Sequence, residues 1–194
     1  MATVNHIDDG IFTINGIFTA VECEDLIKRG EDLGYEAAGV RTSHGPKMMT
    51  NVRNNDRAEF KDKAFADDVW LRVEPFIPPV LDGVRATGLF PNFRFYRYDP
   101  GQRFKRHIDG AVDMPNGDRS KLTLLIYLND GYTGGDTIFS TYDFVDGVAT
   151  VHSKRITPRT GLTLVFRHEL KHEGEELVDG RKYVLRTDVL YEAE

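Results

Sequence analysis

The chain reads as α+β and mainly β: a double-sheet jelly roll with N-terminal helices packed on one sheet. Three observations predict this. Two helical patterns come first in the chain. From residue 93 the pattern changes to about eight short strands, the spacing expected of a sandwich or barrel. Gly-, Pro- and Asp-rich turns separate those strands. Helices followed by a run of strands place the helices against one face of a sheet.

The elements follow in order. Ile11 to Phe18 is a short strand with an entry turn. Thr19-Ala-Val-Glu22 has capping-box spacing, so a helix is expected from Ala20 to Leu33, with Leu26, Ile27 and Leu33 inward and Gly34 as its stop. Residues 39–56 are polar and irregular, carry two methionines and end near Arg53-Asn-Asn55. A second helix is expected from Lys63 to Val73. Phe65, Val69, Trp70 and Val73 recur at helical spacing there and are core residues, and Pro75, Pro78 and Pro79 close it. The expected strands are Phe93–Tyr98, Leu122–Leu128, Thr137–Ser140, Phe144–Val145, Val148–Ile156, Leu162–Phe166, Glu175–Val178 and Lys182–Tyr191. Asp146-Gly147 is a hairpin turn in this scheme. Repeats, low-complexity segments and inter-domain linkers are absent from the sequence, so one domain is expected over 1–194, with a support region 1–92 and a core 93–191.

Composition narrows the function classes. Twenty-five Lys and Arg against 31 Asp and Glu give a net charge of −6. A mildly acidic chain does not suggest a nucleic-acid or anionic-membrane surface. Cys23 is the only cysteine, so no intrachain disulfide forms, which fits a reducing compartment. The N-terminus has no basic segment followed by an apolar core. No apolar run approaches the roughly 20 residues that span a bilayer. The expectation is a soluble cytoplasmic protein.

The chemistry concentrates in three residues. His107 and Asp109 stand two apart, so on an extended backbone both side chains aim at one point. His172, far downstream, completes a two-histidine, one-carboxylate set. That set leaves octahedral positions open and marks non-heme Fe(II) oxygenases. His-x-Asp alone is a weak motif; its surroundings strengthen it. Tyr98 precedes a Pro-Gly turn, the apolar strand Leu122–Leu128 follows, then Gly134-Gly-Asp-Thr-Ile-Phe139, Gly161–Phe166, His172 and Lys182.

In that order of motifs the chain resembles the prolyl 4-hydroxylase-like group of 2-oxoglutarate and Fe(II)-dependent dioxygenases, whose core is the double-stranded β-helix form of the jelly roll. The resemblance covers roughly Phe93 to Tyr191, and more loosely the leader Ile11 to Pro79. It implies Fe(II) on His107, Asp109 and His172, with 2-oxoglutarate as co-substrate and molecular oxygen as oxidant. It implies hydroxylation of a protein residue such as proline, or of a small molecule, with release of succinate and carbon dioxide. It leaves open whether ascorbate is needed. It places the basic anchor for the far carboxylate of 2-oxoglutarate at Lys182, and Tyr98 and Tyr127 where related enzymes hydrogen-bond that co-substrate. Arg186 lies on the same strand face as Lys182, since side-chain direction repeats every two residues. A buried cation needs an anionic partner, so Arg186 can serve the near carboxylate, the substrate or Asp188, and the two anchors can exchange roles. Thr137 is structural in this reading. Arg53 and Asn55, ahead of the barrel, are the candidates for holding the primary substrate.

Two other readings compete. A jelly roll that keeps its metal without turnover would be a binding or sensing module. His168-Glu169-Leu-Lys-His172 matches His-Glu-x-x-His, in which two histidines on one helix face bind zinc and the glutamate is the base. That reading needs a helix. The motif here follows a strand pattern and meets Gly174 at once, so His168 and Glu169 are expected in a loop or strand edge near the metal. No thiol chemistry is expected of Cys23.

Overall fold

The computed structural model describes residues 2–38, 40–42, 45–47, 51–145 and 148–193. Its larger sheet runs, in spatial order, Thr3–Asp8, Ile11–Asn15, Thr163–Arg167, Arg119–Tyr127, Lys182–Tyr191, Asn92–Tyr98, Asp56–Lys61 and Glu36–Ala37, with Val84–Leu89 and Val80–Leu81 joined at one end. The smaller sheet runs Phe104–His107, His172–Gly174, Thr137–Val145 and Val148–Ile156. The pairings within both sheets are antiparallel.

Period-two alternation in three central strands builds two separate cores. In Lys182–Tyr191 every residue is buried, because each face of the strand is covered. Tyr183, Leu185, Val189 and Tyr191 join the core on the helix side, with Phe93, Phe95, Leu122, Leu124 and Ile126. Val184, Tyr96, Tyr98 and Tyr127 face the other way, into the core between the sheets with Phe139, Phe166 and Leu177. Lys182, Arg186 and Asp188 share the parity of Val184. The strand therefore carries three ionisable groups on its inter-sheet face.

The two helices are where the sequence puts them, although Leu33, expected inward, is exposed in the last turn of the first. α1 spans Ala20–Leu33, and the Thr19 hydroxyl and Glu22 carboxylate close the expected capping box. α2 spans Lys63–Val73, with Asp62 capping Phe65. Cys23, Leu26, Ala66, Val69 and Val73 face the helix-side core. No helix among the described residues is long and apolar enough to cross a membrane.

Several strands differ from expectation. Thr137–Val145 is one strand, not two, and its partner Val148–Ile156 matches the expected bounds. The turn at Asp146-Gly147 and the methionines Met48 and Met49 lie outside the described residues. The irregular stretch 39–56 contains a short antiparallel pair, Val40–Thr42 with Gly45–Lys47. Past Asn55 the chain enters a strand, Asp56–Lys61, hydrogen-bonded to Asn92–Tyr98. Phe104–His107 and His172–Gly174 were not foreseen as strands; they are short and polar and show no apolar alternation.

Candidate active site

The site lies between the sheets. His107 ends the edge strand Phe104–His107 and pairs across it with His172. Asp109 lies two residues beyond the strand, its N–H bonded to the His168 carbonyl at 3.0 Å. The structure thus brings together the three ligands chosen from sequence: one donor atom from each lies within 4.8 Å of the others. His107 Nε2 is 3.7 Å from Asp109 Oδ1, and His172 Nε2 is 3.7 Å from Asp109 Oδ2.

Both imidazoles are oriented by backbone. His107 Nδ1 donates to the Lys105 carbonyl at 2.8 Å, and His172 Nδ1 donates to the Leu170 carbonyl at 2.9 Å. A carbonyl only accepts, so each ring keeps its proton on Nδ1 and turns the Nε2 lone pair to the centre, as metal-ligating histidines do when a backbone carbonyl holds the other nitrogen. Burial, reinforced by His172, pushes the His107 pKa down to about 3. Burial also lowers that of His172. Both rings are therefore neutral donors at physiological pH. Burial alone would raise the Asp109 carboxyl; the Arg186 guanidinium, with the Thr123 hydroxyl, overcomes it and holds Asp109 ionised, well below the usual carboxylate range. Neutral imidazoles and one carboxylate are the donor chemistry that suits Fe(II).

The cavity continues from the triad past Tyr98, Tyr127 and Thr137 to Lys182, with Leu125, Phe166 and Val184 as apolar wall. Lys182 is 3% exposed. Its ammonium donates to the Gly135 carbonyl and stands 5.3 Å and 5.4 Å from the ring centres of Tyr98 and Tyr127. No described carboxylate lies within ion-pair distance of it. Burial pushes its pKa down to about 8, against the pull of Asp136 and Glu175. Gly135, at φ +73°, lets the lysine stem pass: a Cβ there would sit 3.3 Å from Lys182 Cδ. Burial raises both phenols, Tyr98 to about 12 and Tyr127 further, so each stays protonated. The Tyr127 hydroxyl is 2.7 Å from that of Thr137.

Arg186 is engaged elsewhere. Its Nη1 donates to Asp109 Oδ1 at 2.8 Å and its Nη2 to Asp188 Oδ1 at 3.1 Å. Of the contacts open to it from sequence, the structure shows the one with Asp188 and adds one to the triad carboxylate. Arg53 and Asn55 are buried, not solvated, and Arg53 Nε donates to Asn55 Oδ1 at 2.6 Å. The Arg53 guanidinium lies 4.3 Å from the Tyr96 ring centre and 4.4 Å from that of Phe104. It packs behind two cavity residues without lining the cavity. Phe104 in turn stacks on His107, ring centres 3.5 Å apart. Residues 52–54 are zipped to the edge strand: Lys105 N–H donates to the Val52 carbonyl and Arg103 N–H to Asn54 Oδ1. Unpaired edge groups need partners, and this stretch supplies them.

His168 and Glu169 form a turn, so no helix presents a zinc motif. Glu169 pairs with Arg167 in solvent. The His168 ring bonds Thr123 and Ser120 instead of joining His172. Thr123 and His168 were missed as parts of the site. A hydroxyl inside the run Leu122–Leu128 was the available clue to the first.

A double-stranded β-helix holding a His-Asp-His set between its sheets defines the class of Fe(II)- and 2-oxoglutarate-dependent oxygenases. Residues 93–187 match the family model of the 2OG-Fe(II) oxygenase superfamily. The prolyl 4-hydroxylase-like resemblance is borne out by its relatives. Prolyl 4-hydroxylase 2 of Arabidopsis thaliana is 24% identical over 136 residues, 66% of this chain and 42% of the relative. A putative prolyl 4-hydroxylase of Acanthamoeba polyphaga mimivirus is 20% identical over 169 residues, 80% of this chain and 59% of the relative. The chain thus spans about two fifths to three fifths of these relatives' length. Among solved structures, a prolyl hydroxylase of Trichoplax adhaerens in complex with a hypoxia inducible factor peptide superposes with a TM-score of 0.65 at 16% identity, covering 93% of this chain and 83% of that one. A viral collagen prolyl hydroxylase of Paramecium bursaria Chlorella virus-1, solved with 2-oxoglutarate, gives 0.61 at 21% identity, covering 93% and 96%. Such likeness supports the shared fold.

Proposed function

We propose that the protein is a 2-oxoglutarate- and Fe(II)-dependent dioxygenase that hydroxylates its substrate and releases succinate and carbon dioxide. One observation carries this reading: one cavity has the His-Asp-His set at one end and, at the other, an ammonium with no carboxylate partner among the described residues. A buried charge is costly without a counter-charge, and the far carboxylate of 2-oxoglutarate is the counter-charge that completes it. Fe(II) on His107, Asp109 and His172 would supply the oxygen activation and hold the keto-acid end. Lys182 takes the far carboxylate, between the rings of Tyr98 and Tyr127, and its hydrogen bond to Gly135 fixes its direction. Arg186 does not serve as the anchor, because Asp109 and Asp188 already hold it. The apolar wall excludes water from the co-substrate.

We take the substrate to be a peptidyl residue, prolyl first among those to test, since the relatives are prolyl hydroxylases and one was solved with a peptide. We assign Arg53, with Asn55, an indirect role in substrate binding, through the cavity wall at Tyr96 that the Arg53 guanidinium packs behind. We take residues 1–92 as the support of one domain and 93–191 as its core. The single cysteine supports a cytoplasmic location. The test is oxygen-dependent conversion of 2-oxoglutarate to succinate by the iron-loaded protein, then a screen of prolyl peptides and small molecules for stimulated turnover. Metal uptake without succinate formation under any substrate would turn the reading into that of a binding module.

A further inference from the structure

We propose that His168, acting through Thr123, is a positioning residue that fixes the Asp109 carboxylate for metal binding. The inference rests on reading His107, Asp109 and His172 as the metal site. It follows from counting protons. Asp109 is buried and only accepts. The Thr123 hydroxyl lies 2.6 Å from Asp109 Oδ2 and has one proton to give, so that proton goes to the carboxylate. Thr123 Oγ1 is also 3.0 Å from His168 Nδ1. With its proton spent, the hydroxyl can only accept there, so His168 Nδ1 carries a hydrogen and donates it. This direction holds whether the ring is neutral or charged.

The far side of the ring is fixed as well. His168 Nε2 is 3.0 Å from the Ser120 hydroxyl, whose oxygen accepts from the Val112 N–H at 2.8 Å. The imidazole is thus bonded at both nitrogens inside the protein. A register shift between Ser120 and Leu122 allows this: it turns Ser120 and Thr123, three residues apart, to the same side of the strand Arg119–Tyr127. The consequence falls on the metal ligand. Thr123 occupies one lone pair of Oδ2 and Arg186 one of Oδ1. The pair left on each oxygen is the one that can face the adjacent histidine Nε2, 3.7 Å away in both cases. Without the His168 donor, the Thr123 oxygen keeps only Arg186 Nη2, at 3.4 Å, as a donor, and the contact that sets the carboxylate plane is held less firmly.

Anaerobic Fe(II) titration of the full chain tests the relay, with Co(II) and its visible spectrum as a second metal readout. Thr123→Val removes the hydroxyl at constant volume. His168→Leu removes the donor. His168→Asn keeps an amide N–H near the position of Nδ1. Changing outer-shell partners commonly costs about 10–100-fold in metal affinity. We expect that loss for Thr123→Val and for His168→Leu, with His168→Asn within about threefold of wild type. The double variant Thr123→Val/His168→Leu should bind no more weakly than Thr123→Val alone, because residues in one hydrogen-bond network are not additive. Wild-type affinity in His168→Leu, equal losses in the Leu and Asn variants, or additive losses would each overturn the relay. So would a lower Tm of the metal-free His168→Leu variant with unchanged affinity of its folded fraction. Metal uptake that depends on His168 in a protein that forms no succinate would leave the relay standing and overturn the dioxygenase reading. A wild-type chain that takes up neither metal would overturn both.

Discussion

Lys182 shows most directly how one residue ties sequence to chemistry. Removing one partner of a desolvated charge pair commonly costs about 2–5 kcal/mol, roughly a 30-fold to several-thousand-fold loss in affinity. Lys182→Ala should therefore weaken 2-oxoglutarate by that factor and leave Fe(II) uptake near wild type. The Kd is read by anaerobic titration of the charge-transfer band of the iron complex. If Arg186→Ala gives the large loss and Lys182→Ala does not, the anchor is misassigned. The same ammonium sets a pH dependence. Its pKa of about 8 in the free protein lies below the ordinary lysine value because of burial, so the binding-competent cation is lost as pH rises through about 8. The Kd should be flat below that pH and rise by up to about tenfold per unit above it; Lys182→Arg should flatten the rise. For folding the sign is opposite. The unfolded chain holds this proton up to the ordinary lysine range, so Lys182 costs stability below about 8 and the cost shrinks as pH rises through that window. At the metal, wild type should retain one Fe(II) per chain and Asp109→Ala should abolish it, checked by metal analysis after anaerobic reconstitution. Undiminished iron would remove Asp109 from the triad.

Among elements, the stretch 51–55 departs furthest from its sequence. Polar residues suggested a loop, yet Arg53 and Asn55 are buried and 52–54 bond to the edge strand. Asn55→Ala leaves Arg53 Nε without its acceptor, and an unsatisfied buried polar group costs about 1–3 kcal/mol; a thermal melt should show that loss. Arg53→Ala should lower substrate-stimulated turnover and spare uncoupled succinate formation. An equal fall in both would mean that Arg53 acts on His107 through Phe104 and not on the substrate. What was legible differs by element for a physical reason. Lys182–Tyr191 and both helices announce themselves by periodicity or caps, because apolar burial or a cap decides their conformation. Phe104–His107 and His172–Gly174 do not, because their inward residues face a polar cavity and their pairing rests on backbone bonds to neighbours distant in sequence. That His107, Asp109, His172 and Lys182 line one cavity was legible from spacing and family resemblance. Thr123 and His168 were not, since their relation to Asp109 arises only when three separate segments meet.

The whole molecule places its chemistry on the seam between two sheets that differ in how firmly they are held. Lys182, Arg186 and Thr123 stand on central, fully paired strands of the larger sheet. His107 stands on the outer strand of the smaller one, whose pairing with His172–Gly174 is registered only at Phe104↔Gly174 and His107↔His172, with an irregularity between. Metal binding would join the firm half to the loose half: His107 and His172 on one side, Asp109 braced by Thr123 and Arg186 on the other. A ligand that binds only the folded state stabilises it by about 2.7 kcal/mol at a hundredfold excess over its Kd, and the gain in protection should fall where the free structure opens most easily. Hydrogen exchange of the anaerobic protein, with and without Fe(II) and 2-oxoglutarate, should therefore show new protection at amides 104–109 and 172–174, while the amides of α1, which packs on the far face of the larger sheet, keep their rates. Uniform protection across the chain would mean that the sheets open together and that the seam is not the weak joint. Protection confined to Lys182–Tyr191 would mean that the co-substrate, without the metal, holds the halves together.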